Sequence, residues 1–221
     1  MDDFSGNGLA CQRGDRLVFT GVDFALPAGG ALLLRGPNGS GKSSLLRIMA
    51  GLLPLAAGTL IRAGAPVAAE PDAHRADLCY VGHLDAVKPT LTVLENLGFW
   101  ADLHDEDSAE RVQAALRRFG IAHLAGAPGR WLSAGQKRRL ALSRLLAAET
   151  GLWLLDEPTV ALDVATIAEL EKIIAEHRAE GGMVVLSTHA EIDLPGADVL
   201  TMDRFAPSRS ATRAPNGRDA A

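Results

Sequence analysis

The sequence predicts an α/β fold with a mainly parallel sheet. Short, wholly apolar runs alternate with longer segments of helical period, as at 152–155 followed by 163–180. A glycine-rich turn at 36–41 joins an apolar run to a helical one. Two adjacent acids, Asp156 and Glu157, close another apolar run. Short apolar runs suit parallel strands buried on both faces. Ligands in open α/β sheets bind beyond the carboxyl ends of strands, which is where these acids fall.

Taken in order, residues 16–26 alternate apolar and polar and read as a strand. Residues 30–35 are a tight apolar run, and a helix starts near Lys42 after the glycine turn. Leu45, Leu46, Ile48 and Met49 mark its buried side. A strand follows at 78–81. From 85 to 130 the pattern is helical, with helices at 93–103 and 110–119, the second capped by Asp107 or Ser108. Ser133 reads as the N-cap of a helix reaching 148. Beyond the strand at 152–155, Asp163 caps a helix carrying Ile167, Leu170, Ile173 and Ile174 on one face, ended by Gly181 and Gly182. Strands at 183–187 and 198–202 follow. The stretch 206–221 lacks apolar period and reads as a disordered tail.

The 221 residues suffice for one sizeable core. With 48% apolar but only 5% aromatic residues, that core must be built from Leu, Val, Ile and Ala. A formal charge of −5 gives no whole-chain reason to expect nucleic acid as a partner. Cys11 and Cys79 lie far apart, outside any CxxC pair, and read as reduced thiols. Residues 1–8 lack the basic start and apolar stretch of a secretory signal. The apolar runs at 31–34 and 52–57 fall short of the ~20 residues of a membrane span. The chain is therefore expected to be soluble, reaching a membrane only through a partner.

Gly36-Pro37-Asn38-Gly39-Ser40-Gly41-Lys42-Ser43, continued by Ser44, fits the phosphate-loop pattern G-x-x-x-x-G-K-[ST]. Its glycines let successive N–H groups turn inward toward a phosphate, and the following helix offers its positive end. Lys42 is placed for the β- and γ-phosphates, and Ser43 for Mg²⁺. Asp156 suits the same ion, and Glu157 can polarise an attacking water as general base.

Leu132-Ser133-Ala134-Gly135-Gln136 resembles the signature of ATP-binding cassette proteins, usually LSGGQ, with Ala134 in place of the first glycine. Read alone, it is a good helix cap. Val160-Ala161-Leu162-Asp163 resembles the family's D-loop, and Ser187-Thr188-His189 its switch histidine. The resemblance spans residues 9–203 and implies an ATPase domain at 7–205: a P-loop NTPase core, an N-terminal antiparallel β subdomain, and a helical signature-motif subdomain at 85–148. It also implies Mg-dependent ATP hydrolysis with Glu157, His189 and Lys42 in catalysis. Ser133, Gly135 and Gln136 would complete the site of a second copy of the chain. The run Lys137-Arg138-Arg139 reads as a solvated or phosphate-facing edge. Two positions depart from the family pattern. His83 stands where a glutamine normally meets metal and water, and Arg13 stands near the usual adenine-stacking aromatic.

The stretches 81–100 and 130–139 resemble more specifically the ATP-binding subunits of bacterial cytochrome c maturation systems. That resemblance implies a peripheral subunit on the cytoplasmic face of the inner membrane, paired with the integral membrane subunits of that complex. Its hydrolysis would be tied to release of haem from a periplasmic chaperone. The same catalytic residues also serve transporters of lipoproteins, amino acids or metals. No direct haem binding is expected, and His74, His104, His123 and His177 read as surface residues. Phe99 and Trp100 are either an anchor for a membrane partner or packing inside the helical subdomain.

Overall fold

The computed structural model describes residues 3–103 and 108–207. A four-stranded antiparallel sheet opens the chain: β1 (Asp3–Arg13), β2 (Arg16–Pro27), β4 (Ala57–Arg62) and β5 (Ala65–Pro66), ordered β2-β1-β4-β5. The second sheet holds β6 (Leu78–Val81), β7 (Leu152–Asp156), β8 (Met183–Ser187), β3 (Ala31–Arg35) and β9 (Asp198–Thr201), in that order. Every neighbouring pair in it is parallel.

Side-chain alternation divides the core in two. On one face of the parallel sheet, Leu32, Leu34, Leu152, Leu154, Met183 and Val185 pack against α1 (Lys42–Met49) and the antiparallel sheet. On the other, Leu33, Trp153, Leu155, Val184 and Leu186 pack against Leu170, Ile173 and Ile174 of α6 (Val164–Ala179) and against the helical region. Each fully buried Leu or Ile contributes about 1.5–3 kcal/mol, so this double-sided burial dominates stability. The predicted stripe Leu45, Leu46, Ile48 and Met49 is buried on α1. Cys11 and Cys79 are free and buried.

The helical region contains α3 (Val93–Ala101), α4 (Ala109–Arg118) and α5 (Ala134–Ala147), with a short α2 (Pro71–Ala76) before β6. Thr92 and Glu95 form a reciprocal capping box on α3. Buried Asn96 then clamps the preceding loop: it accepts from the Lys88 N–H at 2.8 Å and donates to the carbonyls of Lys88, Leu91 and Thr92. No helix among the described residues is long and apolar enough to cross a membrane.

Several expectations are corrected. β1 begins at Asp3, with Phe4 fully buried. Strands β4 and β5 and helix α2 have no counterpart in the sequence reading. Ser108 sits at the N-cap of α4 but makes no capping bond, because its hydroxyl donates to Asp102 at 2.7 Å. The alternative cap Asp107, His104, and the tail beyond residue 207 lie outside the described residues. His74 is buried, stacked on Phe4 and bonded to the Met49 carbonyl. His177 is half-buried and stacked on Trp153 at 3.7 Å. Neither is a surface histidine, whereas His123 is exposed.

Candidate active site

The phosphate loop sits between β3 and α1. Gly41 precedes the helix at φ 102°, and a Cβ there would lie 2.7 Å from Phe19, so only glycine fits. No side chain caps α1, which leaves its first-turn N–H groups facing the loop. Lys42, only 6% exposed, donates to the carbonyls of Gly36 (2.8 Å) and Pro37 (3.2 Å).

β7 and β8 bring the acids and the histidine to the same place. Asp156 is buried, and its Oδ1 accepts from Ser43 at 3.1 Å and Ser187 at 2.7 Å. Its Oδ2 is buried without a hydrogen-bond partner among the described residues. Beside it stands the Ser43 hydroxyl on the loop. Such hard oxygen donors suit a divalent cation that takes its remaining ligands from phosphate and water. Glu157 adopts φ 51°, a left-handed conformation that costs a non-glycine residue about 1–2 kcal/mol. Its N–H bonds to the Ser187 carbonyl at 2.9 Å. Its carboxylate accepts the His189 N–H at 3.2 Å and lies 3.6 Å from the His189 ring. His189 Nε2 is also 2.9 Å from Asn38 Oδ1 and 3.3 Å from Lys42 Nζ.

A cavity of about 820 Å³ joins these groups. Asn38, Gly39, Gly41, Lys42, Ser43 and Ser44 line it from the loop, Asp156, Glu157 and His189 from the sheet edge, and His83 from across. Arg13 and Arg16, opposite each other at the β1–β2 hairpin, line its mouth. Gly36, Pro37 and Ser40 belong to the same loop but do not line the cavity, and a Cβ on Gly36 would fall 2.9 Å from Ser40 Oγ. A glycine-rich loop, a carboxylate and a pair of hard oxygen donors thus share one cavity, an arrangement compatible with nucleoside triphosphate hydrolysis.

Ser133, Gly135 and Gln136 do not line this cavity. Ser133 and Gln136 form the capping box that opens α5: the Ser133 N–H donates to Gln136 Oε1 at 2.8 Å, and the Gln136 N–H to Ser133 Oγ at 3.2 Å. Gly135 is required because a Cβ there would meet the Ala161 carbonyl at 2.8 Å. Asp163 caps α6 through the Thr166 N–H and pairs with Arg139 at 2.7 Å. Hydrogen bonds from Thr166 hold the Asp163 carboxyl below its usual range.

Arg138 is the residue that the sequence reading missed. It is 4% exposed and packs against backbone carbonyls, so it is neither solvated nor phosphate-facing. Helical spacing carried the signal: Arg138 lies three and four residues before buried Ala141 and Leu142.

The fold and cavity define a P-loop ATPase with a helical signature subdomain. The ABC transporter family profile matches residues 19–160. The cytochrome c biogenesis ATP-binding export protein CcmA of Paramagnetospirillum magneticum is 62% identical over 92% of this chain and 95% of its own length. The protein of the same name in Rhodospirillum rubrum is 59% identical, over 94% of this chain and 88% of its own. Among solved structures, cbiO1 from Clostridium perfringens, part of the ABC transporter complex cbiONQ, superimposes with a TM-score of 0.74 at 28% identity. That match covers 90% of this chain and 83% of cbiO1. The chain belongs to the ABC transporter ATP-binding family and, within it, to the CcmA family. It is an ATP-binding ATPase.

Proposed function

We propose that this chain powers a cytochrome c biogenesis transporter, working as one half of an ATP-bridged pair of subunits on the cytoplasmic face of a bacterial inner membrane. The names of its relatives support the pathway. The observation that carries the mechanism is the meeting of the Glu157 carboxylate, His189 and Lys42 in one cavity beside the Ser43–Asp156 oxygen pair.

In this reading the loop N–H groups and Lys42 hold the phosphates. Ser43 Oγ would hold Mg²⁺ directly and Asp156 through a water, and the ion would neutralise charge on the transferred phosphoryl group when bound. Glu157 takes a proton from the attacking water, and His189 steadies the γ-phosphate from the sheet edge. His83 faces the same space from the opposite loop. Arg13 lays its guanidinium plane on the base, where the family commonly uses an aromatic.

Ser133, Gly135 and Gln136 act on the γ-phosphate of the partner copy through the N-terminal end of α5. The proximity of Gly135 to Ala161 supports this, since it makes the signature and D-loop one continuous face. Val160 and Val164 on that face are 52% and 84% exposed, as suits a surface that closes against a second subunit. Hydrolysis removes the charge holding the pair together, so it reopens and moves its membrane subunits.

Mass spectrometry of proteins co-purified with tagged Glu157→Gln protein from detergent-solubilised membranes, with ATP present, tests the assignment. Recovery of cytochrome c maturation membrane proteins is expected. Recovery of a different permease would keep the ATPase chemistry and overturn the pathway.

A further inference from the structure

Arg138 spends all five of its guanidinium N–H groups inside the protein. Nε donates to the Pro158 carbonyl at 3.2 Å. Nη2 donates to the carbonyls of Asp156 (2.8 Å) and Glu157 (2.7 Å). Nη1 donates to the carbonyl of Gly82 (2.9 Å) and to the Asp85 carboxylate (3.1 Å). Its acceptors thus come from two loops on opposite sides of the cavity. One begins with Asp156 and Glu157, and the other carries His83. The side chain itself stands on α5, two residues beyond the signature Gln136.

The left-handed backbone at Glu157 needs support from its surroundings. That peptide is held on both sides: its N–H on the Ser187 carbonyl and its C=O on Arg138. The carboxylate then points at His189. A planar fork with five fixed donors can meet three consecutive carbonyls and a fourth across the cavity. A lysine, with three donors on one nitrogen, cannot span them.

We propose that Arg138 is a positioning residue for hydrolysis. It sets the backbone from which Glu157 projects, and it locks that backbone and the His83 loop to the signature helix, so that the three move as one unit. Asp85 is the counter-charge that orients the fork. A shift of the α5 N-terminus on meeting the partner's nucleotide then reaches Glu157 and His83 together. The inference rests on Glu157 as the general base.

The test is steady-state ATPase kinetics of Arg138→Lys in the full-length chain, with ATP affinity and melting temperature measured alongside. Expected is a fall in kcat of about 10²-fold, with KM for ATP within about twofold of wild type. A kcat near wild type overturns the proposal, as does a parallel loss of turnover, ATP affinity and melting temperature, which marks a structural role only. Should Arg138→Lys not fold, Asp85→Asn decides. That partly exposed position tolerates the change, and a several-fold lower kcat at unchanged melting temperature is expected. Unchanged kcat overturns the proposal. Glu157→Gln in the same assay separates the two readings: wild-type turnover there removes the base itself, whereas loss there with wild-type turnover in the Arg138 and Asp85 variants removes only the positioning role.

Discussion

The Glu157 carboxylate accepts the backbone N–H of His189 at 3.2 Å, and its other oxygen lies 3.6 Å from the same residue's ring. The carboxylate is thereby oriented by the loop that follows β8, and Glu157 is the proposed base. Glu157→Gln keeps the side-chain shape and the N–H acceptor but removes the proton acceptor. Turnover should fall by about 10²–10⁴-fold with ATP binding retained. ATP should then trap a dimer, read by size-exclusion chromatography. Wild-type turnover would remove Glu157 from the mechanism.

Ser43 and Asp156 meet at 3.1 Å across 113 residues of chain, beside an Asp156 Oδ2 that has no hydrogen-bond partner among the described residues. Ser43→Ala should raise the Mg²⁺ concentration for half-maximal activity on the order of 10-fold. Nucleotide binding without Mg²⁺, followed by fluorescence, should change much less. An unchanged Mg²⁺ requirement would count against the assignment.

Trp100 lies under Arg144, whose guanidinium carbon is 4.9 Å from the ring centre. Together with Leu52, Tyr80 and Leu103 they line an apolar groove of about 370 Å³. Leu52 and Leu103 are 60% and 63% exposed. Trp100→Ala should retain ATPase activity in the isolated chain but lose co-purification with membrane subunits. Retained association would assign Trp100 to internal packing.

His177 lies flat on Trp153, interplanar angle 3°, in a space that Gly182 leaves free. Burial lowers its pKa from 6.5 to about 4, partly opposed by a hydrogen bond to the Met183 backbone. The unfolded chain therefore takes up this proton first as pH falls. The stability carried by the neutral ring is intact above about pH 6.5 and is lost as pH drops through about 4. His74, also lowered by burial, acts in the same direction. Urea unfolding at pH 7 and pH 5 should show a smaller stability loss for His177→Phe than for wild type, by on the order of 1 kcal/mol after solvent screening. Equal losses would remove His177 as a source of acid sensitivity.

The elements legible in the sequence were those built from local signals. The β3–loop–α1 unit needs only an apolar run, glycines and Lys42-Ser43 within about a dozen residues. The Ser133–Gln136 box and the Asp163 cap satisfy helix ends three residues away, so their patterns are self-contained. The apolar strands β7 and β8 announced double-sided burial by composition alone.

What escaped the sequence depended on distant backbone. In β1, Phe4 is the one large apolar residue among Asp3, Ser5, Gly6 and Asn7, and its burial is decided by pairing with β2 and β4. His74 and His177 are interior because Phe4 and Trp153 are brought against them from elsewhere in the chain. Arg138 sits in a basic run that reads as solvated. It is buried because carbonyls up to 56 residues away converge on its fork. The sequence by itself determined the class of chemistry and picked out the loop, acids and histidine proposed for it, since each is a local arrangement of residue types. Only the tertiary structure decided which polar groups are interior and how the Glu157 carboxylate is held, because burial and hydrogen bonding of a charged side chain depend on where the rest of the chain goes.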